Sequence, residues 1–236
     1  MTQTITERLL QRPASRATRA TVLVLAIHGS PGDPARAREE FAFLDDLDRP
    51  LELLVLNDKE RPAAAQLGRI AQEYPGRELL VAPFLLGEGY HFSQDLVPAV
   101  EAARRLGVSA RLLPLFGRAE IFQQALHQAV FEHAPPGFGG KLAWLVPGGA
   151  KVATELREAL ELIRPELAGV STWHTLTRAE LPPTLPHDAL PIVAVLRDGR
   201  IAANLAKAHH GAQAPRPLFG PHHLKTALEC WTGAPH

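Results

Sequence analysis

The sequence predicts an α/β protein of two similar lobes, each a small parallel sheet flanked by helices, with the second lobe a degenerate copy of the first. Three observations lead to this fold class. Short apolar segments alternate with longer amphipathic segments, a Pro- and Gly-rich stretch divides the chain at 133–141, and the two halves share motifs in the same order. Continuous apolar strands joined through helices are typical of parallel sheets that are covered on both faces.

The first half contains four strand and helix pairs. Apolar runs predict strands over 22–27, 51–56, 78–86 and 109–115. Amphipathic periodicity predicts helices over 34–47, 61–74, 93–107 and 118–133, and the first of these begins with Pro34 after Asp33. For such a unit we expect the strand order 2-1-3-4.

The second half repeats this alternation with shorter connections. Strands are predicted over 141–146, 169–176 and 191–199, with helices over 150–163 and 222–231. The proline-rich segment before residue 191 is interpreted as a loop, and 214–219 as a short extended piece. Most of the sequence after residue 140 therefore matches one further α/β unit.

A faded internal repeat relates the two halves. The sequence PLFG occurs at 114–117 and again at 217–220, and an Ala-Leu pair follows each copy. Earlier segments correspond in the same order, with 25–30 opposite 144–149 and 82–91 opposite 193–201. We therefore divide the chain into a loose arm over 1–20, a first domain over 21–135 that carries the site, and a degenerate repeat over 141–236.

Composition excludes several classes of function. In the 236 residues, 25 Lys and Arg balance 25 Asp and Glu, so a general affinity for nucleic acid is not expected. The longest apolar runs have six to eight residues, far below the roughly 20 of a membrane-spanning helix. The single Cys230 allows no internal disulfide and favours the cytoplasm, and any metal site must use His, Asp or Glu.

Two of the eleven histidines fall where a ligand site is expected. His28 follows the first predicted strand, and His91 follows the third. With the order 2-1-3-4 these strands are neighbours, and ligands of open α/β sheets bind where the strand order reverses. Asp58 or Glu60, after the second strand, would reach the same place, and Glu88 is a further candidate ligand.

These side chains suit a first-row divalent ion. Imidazoles with a carboxylate bind Co²⁺, Fe²⁺ or Ni²⁺ and leave positions open for exchange. The turn residues Gly29, Ser30, Gly87 and Gly89 would contact a bulky flat ligand, because glycines let it approach the backbone. The other histidines are interpreted as surface or helix-end residues, although the pair His222 and His223 could bind metal adventitiously.

Two segments resemble one protein family. VLVLAIHGSPGDPARAREEF, from residue 22, resembles the opening strand, His-Gly-Ser turn and Asp-Pro helix start of the sirohydrochlorin chelatases, the class II chelatases of cobalamin and siroheme synthesis. LLVAPFLLGEGYHFSQDLVPAV, from residue 79, is similar to their second signature, and LLPLFG to their next strand and turn. The resemblance covers about residues 20–130 and is faded beyond.

The resemblance implies insertion of Co²⁺ or Fe²⁺ into a sirohydrochlorin-type tetrapyrrole without ATP or another nucleotide. It implies that His28 and His91 bind the incoming metal and remove pyrrole protons, assisted by an acid at the position of Asp58. The family commonly has Glu there, and Arg where this chain has Pro31. Loss of that Arg removes a contact to substrate carboxylates, for which Arg36, Arg38 or Arg118 could substitute.

Two alternatives remain open at this stage. A metal- or tetrapyrrole-binding protein of the same fold without turnover would explain the changes at Asp58 and Pro31. An α/β-hydrolase would explain HGSPGDP, but the chain has no Gly-x-Ser-x-Gly nucleophile turn. A tetrapyrrole is the expected partner, nucleic acid and membrane are not, and a homodimer is left open.

Overall fold

The structure, a computed structural model, describes residues 21–28, 38–39, 41–44, 49–58, 60–147, 149–176, 185, 188–196 and 215–232. The predicted arm over 1–20 lies outside these residues. So does most of the predicted helix over 34–47, within which Ala42–Leu44 forms a single 3₁₀ turn. Among the described residues, no helix combines the length and the hydrophobicity needed to cross a bilayer.

The first lobe contains a four-stranded parallel sheet in the order β2-β1-β3-β4. Its strands are β1 (Thr21–Ile27), β2 (Leu51–Val55), β3 (Glu78–Phe84) and β4 (Ala110–Leu112). Its helices are α1 (Ala63–Glu73), α2 (Val97–Arg105), which continues from a π-helical segment over His91–Leu96, and α3 (Glu120–His133). The predicted strand order is confirmed.

The second lobe contains another four-stranded parallel sheet, in the order β6-β5-β7-β8. Its strands are β5 (Lys141–Pro147), β6 (Ser171–Leu176), β7 (Ala189–Val193) and β8 (Arg216–Pro217). Its helices are α4 (Ala150–Ile163) and α5 (Pro221–Thr232). The predicted fold class of two similar α/β lobes is thus confirmed, and the short piece before residue 219 supplies the fourth strand.

The alternation of side chains along β1 divides the core of the first lobe into two layers. Val22, Val24 and Ala26 pack with α1 and α2 in one layer. Leu23, Leu25 and Ile27 belong to the other, which also contains residues of the second lobe. All seven residues of β1 are buried, as expected for a central parallel strand.

The two lobes share this second layer as one continuous core. Phe116 and Phe219, which occupy equivalent positions in the PLFG repeat, both contribute to it. Phe116 lies 5.0 Å, centroid to centroid, from Trp231 of α5, and Phe219 lies 5.7 Å from Phe122 of α3. In each contact a Phe of one PLFG copy packs on a helix of the other lobe, and the two contacts hold the lobes together.

Candidate active site at the ends of three parallel strands

The strands β1, β2 and β3 end at the same edge of the first sheet. Ile27, the last residue of β1, is in register with Val55 of β2 and Phe84 of β3. Backbone segments that leave these strands therefore start side by side. This register brings the predicted site residues, which are far apart in sequence, to one end of the sheet.

His28 and His91 are in direct contact at this edge. Their ring centroids lie 4.7 Å apart and the ring planes meet at 68°, an edge-to-face arrangement. His28 is exposed, and 25% of the His91 side chain is accessible. Two imidazoles that are both accessible and adjacent can bind one ligand together.

Asp95 orients the ring of His91. Its Oδ2 lies 2.6 Å from His91 Nδ1, four residues earlier on the π-helical segment. An ionised carboxylate can only accept a hydrogen bond, so Nδ1 carries the proton and Nε2 keeps a free lone pair when the ring is neutral. Asp95 was missed among the sequence candidates, although its place four residues after His91, at the start of the helix predicted over 93–107, could have indicated it.

The turn between β3 and His91 is held by backbone contacts. The Gly89 carbonyl accepts hydrogen bonds from the N–H groups of Phe92 and Ser93 and from the Ser93 hydroxyl. A Cβ at Gly87 would lie 2.3 Å from Glu155 Oε2, so this turn packs closely on α4 of the second lobe. Both glycines thus position His91, and their contact to a ligand stays a prediction. Gly29 and Ser30, the other predicted ligand contacts, lie outside the described residues.

Asp58 lies just beyond β2 and lines the same groove as His91. Its Oδ1 accepts hydrogen bonds from the backbone N–H groups of Glu60 and Arg61, and its Oδ2 pairs with Arg61 Nε at 3.0 Å. Partial burial alone would raise the pKa of the Asp58 carboxyl. These hydrogen bonds and the Arg61 charge outweigh it and hold the pKa below its usual value. Asp58 therefore remains ionised near neutrality.

The groove is an open cavity of about 880 Å³ between the N-terminal end of α1 and one side of α2 with the π-helical segment before it. Prolines and alanines at the start of α1 and along α2 form the small apolar part of its wall, together with Tyr90, whose side chain is 70% exposed. The Tyr90 ring lies 5.6 Å from the ring of His91. Arg105, the last residue of α2, also lines the groove. Neither Tyr90 nor Arg105 was among the sequence candidates.

The structure places Glu88 in an ion-pair cluster between the lobes. One carboxylate oxygen lies 2.5 Å from Arg118 Nη1 and the other 2.7 Å from Lys151 Nζ. Arg118 also pairs with Glu155 of α4 at 2.8 Å. The Lys151 hydrogen bond is the main reason that the pKa of Glu88 lies below its usual value. A metal at Glu88 would have to displace these cations, so its role as a ligand stays a prediction.

The predicted metal ligands lie at the same end of the sheet, but they do not form a closed metal site. Among the described residues, only Glu132, His222 and His223 bring three candidate donor atoms within 4.8 Å of one another. His28, His91 and Asp58 are therefore more widely spread. Two of the arginines proposed above as substrate contacts already have partners. Arg118 pairs with Glu88 and Glu155, and Arg38 donates a hydrogen bond to the Leu51 carbonyl. Arg36 lies outside the described residues.

Comparison with solved structures shows the fold of sirohydrochlorin chelatases. SirB from Bacillus subtilis with Fe³⁺ matches with a TM-score of 0.61 and 17% sequence identity, over 91% of this chain and 94% of that chain. The sirohydrochlorin chelatase SirB from Bacillus subtilis subspecies spizizenii in complex with cobalt matches with a TM-score of 0.57 and 16% identity, over 90% and 93%.

A third structure is CbiX, described as the terminal enzyme for biosynthesis of siroheme in denitrifying bacteria. It matches with a TM-score of 0.52 and 20% identity, over 89% of this chain and 98% of that chain. No family model matches the sequence, and no curated protein matches it significantly. The likeness therefore lies in the fold, over nearly the whole length of both chains.

Proposed function

We propose that the protein inserts a divalent metal ion, Co²⁺ or Fe²⁺, into a sirohydrochlorin-type tetrapyrrole without ATP, in siroheme or cobalamin biosynthesis. One observation carries the proposal, the contact of His28 with His91 at the end of the sheet. The fold likeness to proteins described as sirohydrochlorin chelatases supports it. A cytoplasmic location belongs to the same proposal.

The reaction exchanges two protons for one metal ion. Two pyrrole N–H groups of the macrocycle each lose a proton, the M²⁺ ion binds the four pyrrole nitrogens, and two protons pass to solvent. Imidazole is suited to this exchange because it binds divalent ions and accepts protons near neutral pH. His28 and His91 are the two bases.

His91 is the better oriented of the two. Since Asp95 holds the proton on Nδ1, the Nε2 lone pair of His91 is available to the metal or to a pyrrole proton. When Nε2 is protonated, the Asp95 carboxylate stabilises the resulting imidazolium. Asp95 is therefore a positioning residue, since it acts through His91.

Asp58 supplies charge rather than basicity. Hydrogen bonds and Arg61 keep its carboxylate ionised, which attracts a divalent cation but makes a weak proton acceptor. The spread of His28, His91 and Asp58 suits a metal that is passed on to the macrocycle, because a closed three-donor site would retain it. We assign Asp58 to the approach and loose binding of the metal substrate.

The macrocycle is proposed to bind in the groove beside His91. The exposed Tyr90 ring and the small apolar residues of α1 and α2 offer a surface for a flat conjugated ligand. Arg105, which lines the same groove, can pair with a peripheral carboxylate. Gly87 and Gly89 are retained as candidate contacts at the turn.

Binding without turnover is a second candidate because of one observation at Asp58. This carboxylate is already satisfied by Arg61 and two backbone N–H groups, so it is less available to a metal than a free acid would be. A binding protein would take up metal and tetrapyrrole without accelerating their combination. Kinetics of metallation separates the two functions.

The decisive experiment follows the absorbance of sirohydrochlorin and Co²⁺ under anaerobic conditions, with and without protein. We expect the wild type to accelerate metallation and the variants His28→Ala and His91→Ala to lose the acceleration. A matched control is His127→Ala, which removes an exposed histidine of α3. Metallation no faster than without protein would exclude the chelatase function, and tetrapyrrole binding in the same samples would then support the second candidate.

A further inference from the structure

A second group of metal-binding side chains lies at the junction of α3 and α5. Glu132 is the penultimate residue of α3, and His222 and His223 lie in the first turn of α5. Glu132 Oε1 is 3.1 Å from His222 Nε2 and 3.0 Å from His223 Nε2. All three donor atoms lie within 4.8 Å of one another.

His223, the buried member of this group, has one ring nitrogen without a hydrogen-bond partner. Only 2% of the His223 side chain is accessible, and its Nε2 lies 3.0 Å from Glu132 Oε1 without forming a well-aligned hydrogen bond. A buried polar atom without a hydrogen-bond partner calls for an explanation, of which a missing ion is one. Both imidazoles present Nε2 to the same carboxylate oxygen, so three donor atoms that one cation could share lie side by side.

We propose that Glu132, His222 and His223 form a binding site for a divalent transition-metal ion such as Zn²⁺, Co²⁺ or Ni²⁺. Two imidazoles and one carboxylate are a donor set that these ions accept, with a further position left for water. A small rotation of the exposed His222 ring closes the remaining separation. The site lies apart from His28 and His91. The proposal of a metal site here does not depend on the function proposed for those two histidines.

Metal binding changes one existing hydrogen bond. His223 Nδ1 accepts a hydrogen bond from the Gly220 N–H at 2.9 Å, so the neutral ring carries its proton on Nε2. When Nε2 binds a metal, that proton moves to Nδ1 and the Gly220 N–H turns to another acceptor. Gly220 lies in the turn before α5, where a glycine backbone can make this adjustment.

The surrounding contacts hold the site together before any metal binds. His133, next to Glu132, has Nε2 3.1 Å from the Pro217 carbonyl and 3.2 Å from that of Leu218. The end of α3 is thereby attached to the segment that leads into α5. An ion bound here would join an element of the first lobe to an element of the second and stabilise the folded protein by mass action.

The test is a titration of the full-length His28→Ala, His91→Ala double variant with Co²⁺, followed by calorimetry and by the visible absorbance of protein-bound Co²⁺. Removing His28 and His91 separates this site from the site of the proposed function. We expect one equivalent of Co²⁺ whose affinity falls at least tenfold when His222→Ala or Glu132→Gln is added. Both substituted side chains are about half exposed or more, so the variants should fold.

The matched control is His127→Ala in the same double variant. Its histidine also lies on α3 and is exposed, but it is not in the cluster. We expect full binding in this control, and a rise in melting temperature with Zn²⁺ that His222→Ala abolishes. Unchanged Co²⁺ binding in His222→Ala and Glu132→Gln, or an equal loss in His127→Ala, would overturn the proposal.

Discussion

The imidazole rings of His28 and His91 meet edge to face, with their centroids 4.7 Å apart, at the point where β1 and β3 end. Sixty-two residues separate these histidines in the chain. Their contact follows from the pairing of β1 with β3 in parallel register. It places two accessible imidazoles side by side, one of which, His91, lines the groove.

Substitution of either histidine should remove most of the catalysis. We expect His28→Ala and His91→Ala each to lower kcat/KM for metallation by about 10²–10⁴-fold, the usual contribution of a positioned acid or base. The double variant should be scarcely slower than the worse single variant, because residues that act as a unit are not additive. Initial rates of anaerobic metallation at saturating Co²⁺ measure this, and effects that multiply in the double variant would contradict a shared site.

Asp95→Asn should slow metallation through His91. Loss of the carboxylate releases the His91 tautomer and removes the charge that stabilises its protonated form, so we expect a loss of about 10–100-fold. Asp188→Asn, at an exposed ion pair with Lys141, is the matched control. Metallation by Asp95→Asn at the wild-type rate would leave Asp95 with no positioning role.

The ion-pair cluster of Glu88 should contribute modestly to the stability of the lobe junction. We expect Glu88→Gln to lower the free energy of unfolding by about 0.5–1 kcal/mol at low salt, and by less at high salt, because the group is partly exposed. Urea denaturation at two ionic strengths measures the effect. Glu158→Gln, an exposed substitution on α4, should have little effect. If Glu88→Gln instead weakens Co²⁺ binding at unchanged stability, Glu88 is a metal ligand as first predicted.

The same cluster should make stability depend on pH in the acid range. The pKa of Glu88 is lower in the folded protein than its ordinary value, mainly because of the Lys151 hydrogen bond. Its stabilising contribution is therefore complete above the ordinary pKa of a glutamate and is lost as pH falls through the lower, folded value. Denaturation midpoints between neutrality and pH 3 should decline less steeply in Glu88→Gln than in the wild type.

Two glycine substitutions should have opposite effects. A Cβ at Gly117 would lie 1.8 Å from the Leu86 carbonyl oxygen, which is backbone and cannot yield easily. Gly117→Ala should therefore cost about 2–3 kcal/mol. A Cβ at Gly68, inside α1, has no neighbour within 4 Å, so Gly68→Ala should stabilise by about 0.5–1 kcal/mol. Thermal denaturation of both variants checks this, and equal effects would contradict the packing at Gly117.

Strand prediction succeeded where burial on both faces leaves a strong signal. The run at 22–27 is apolar without interruption, and the observed β1 is Thr21–Ile27. Prediction was weaker where the strand is short, since β4 is Ala110–Leu112 against a predicted 109–115, and β8 has two residues. Short edge strands are set by their pairing partners more than by their own sequence.

The interaction partners of a side chain were harder to predict than its position in the fold. The turn containing Glu88 follows β3 as expected, but the cations that pair with Glu88 come from Arg118 and from Lys151 of the other lobe. Nothing near Glu88 in the sequence indicates Lys151. The cluster of Glu132 with His222 and His223 has the same origin, because it forms only when α3 packs against α5.

The sequence by itself determined the two-lobe α/β fold, the strand order of the first sheet and the meeting of His28 with His91. Hydrophobic periodicity determines each helix and strand locally, and parallel pairing depends only on adjacent strands. Only the tertiary structure decided which carboxylates face those histidines and which face other cations. A charged side chain can reach partners from any packed element, and the docking of the two lobes on one shared core selects among them.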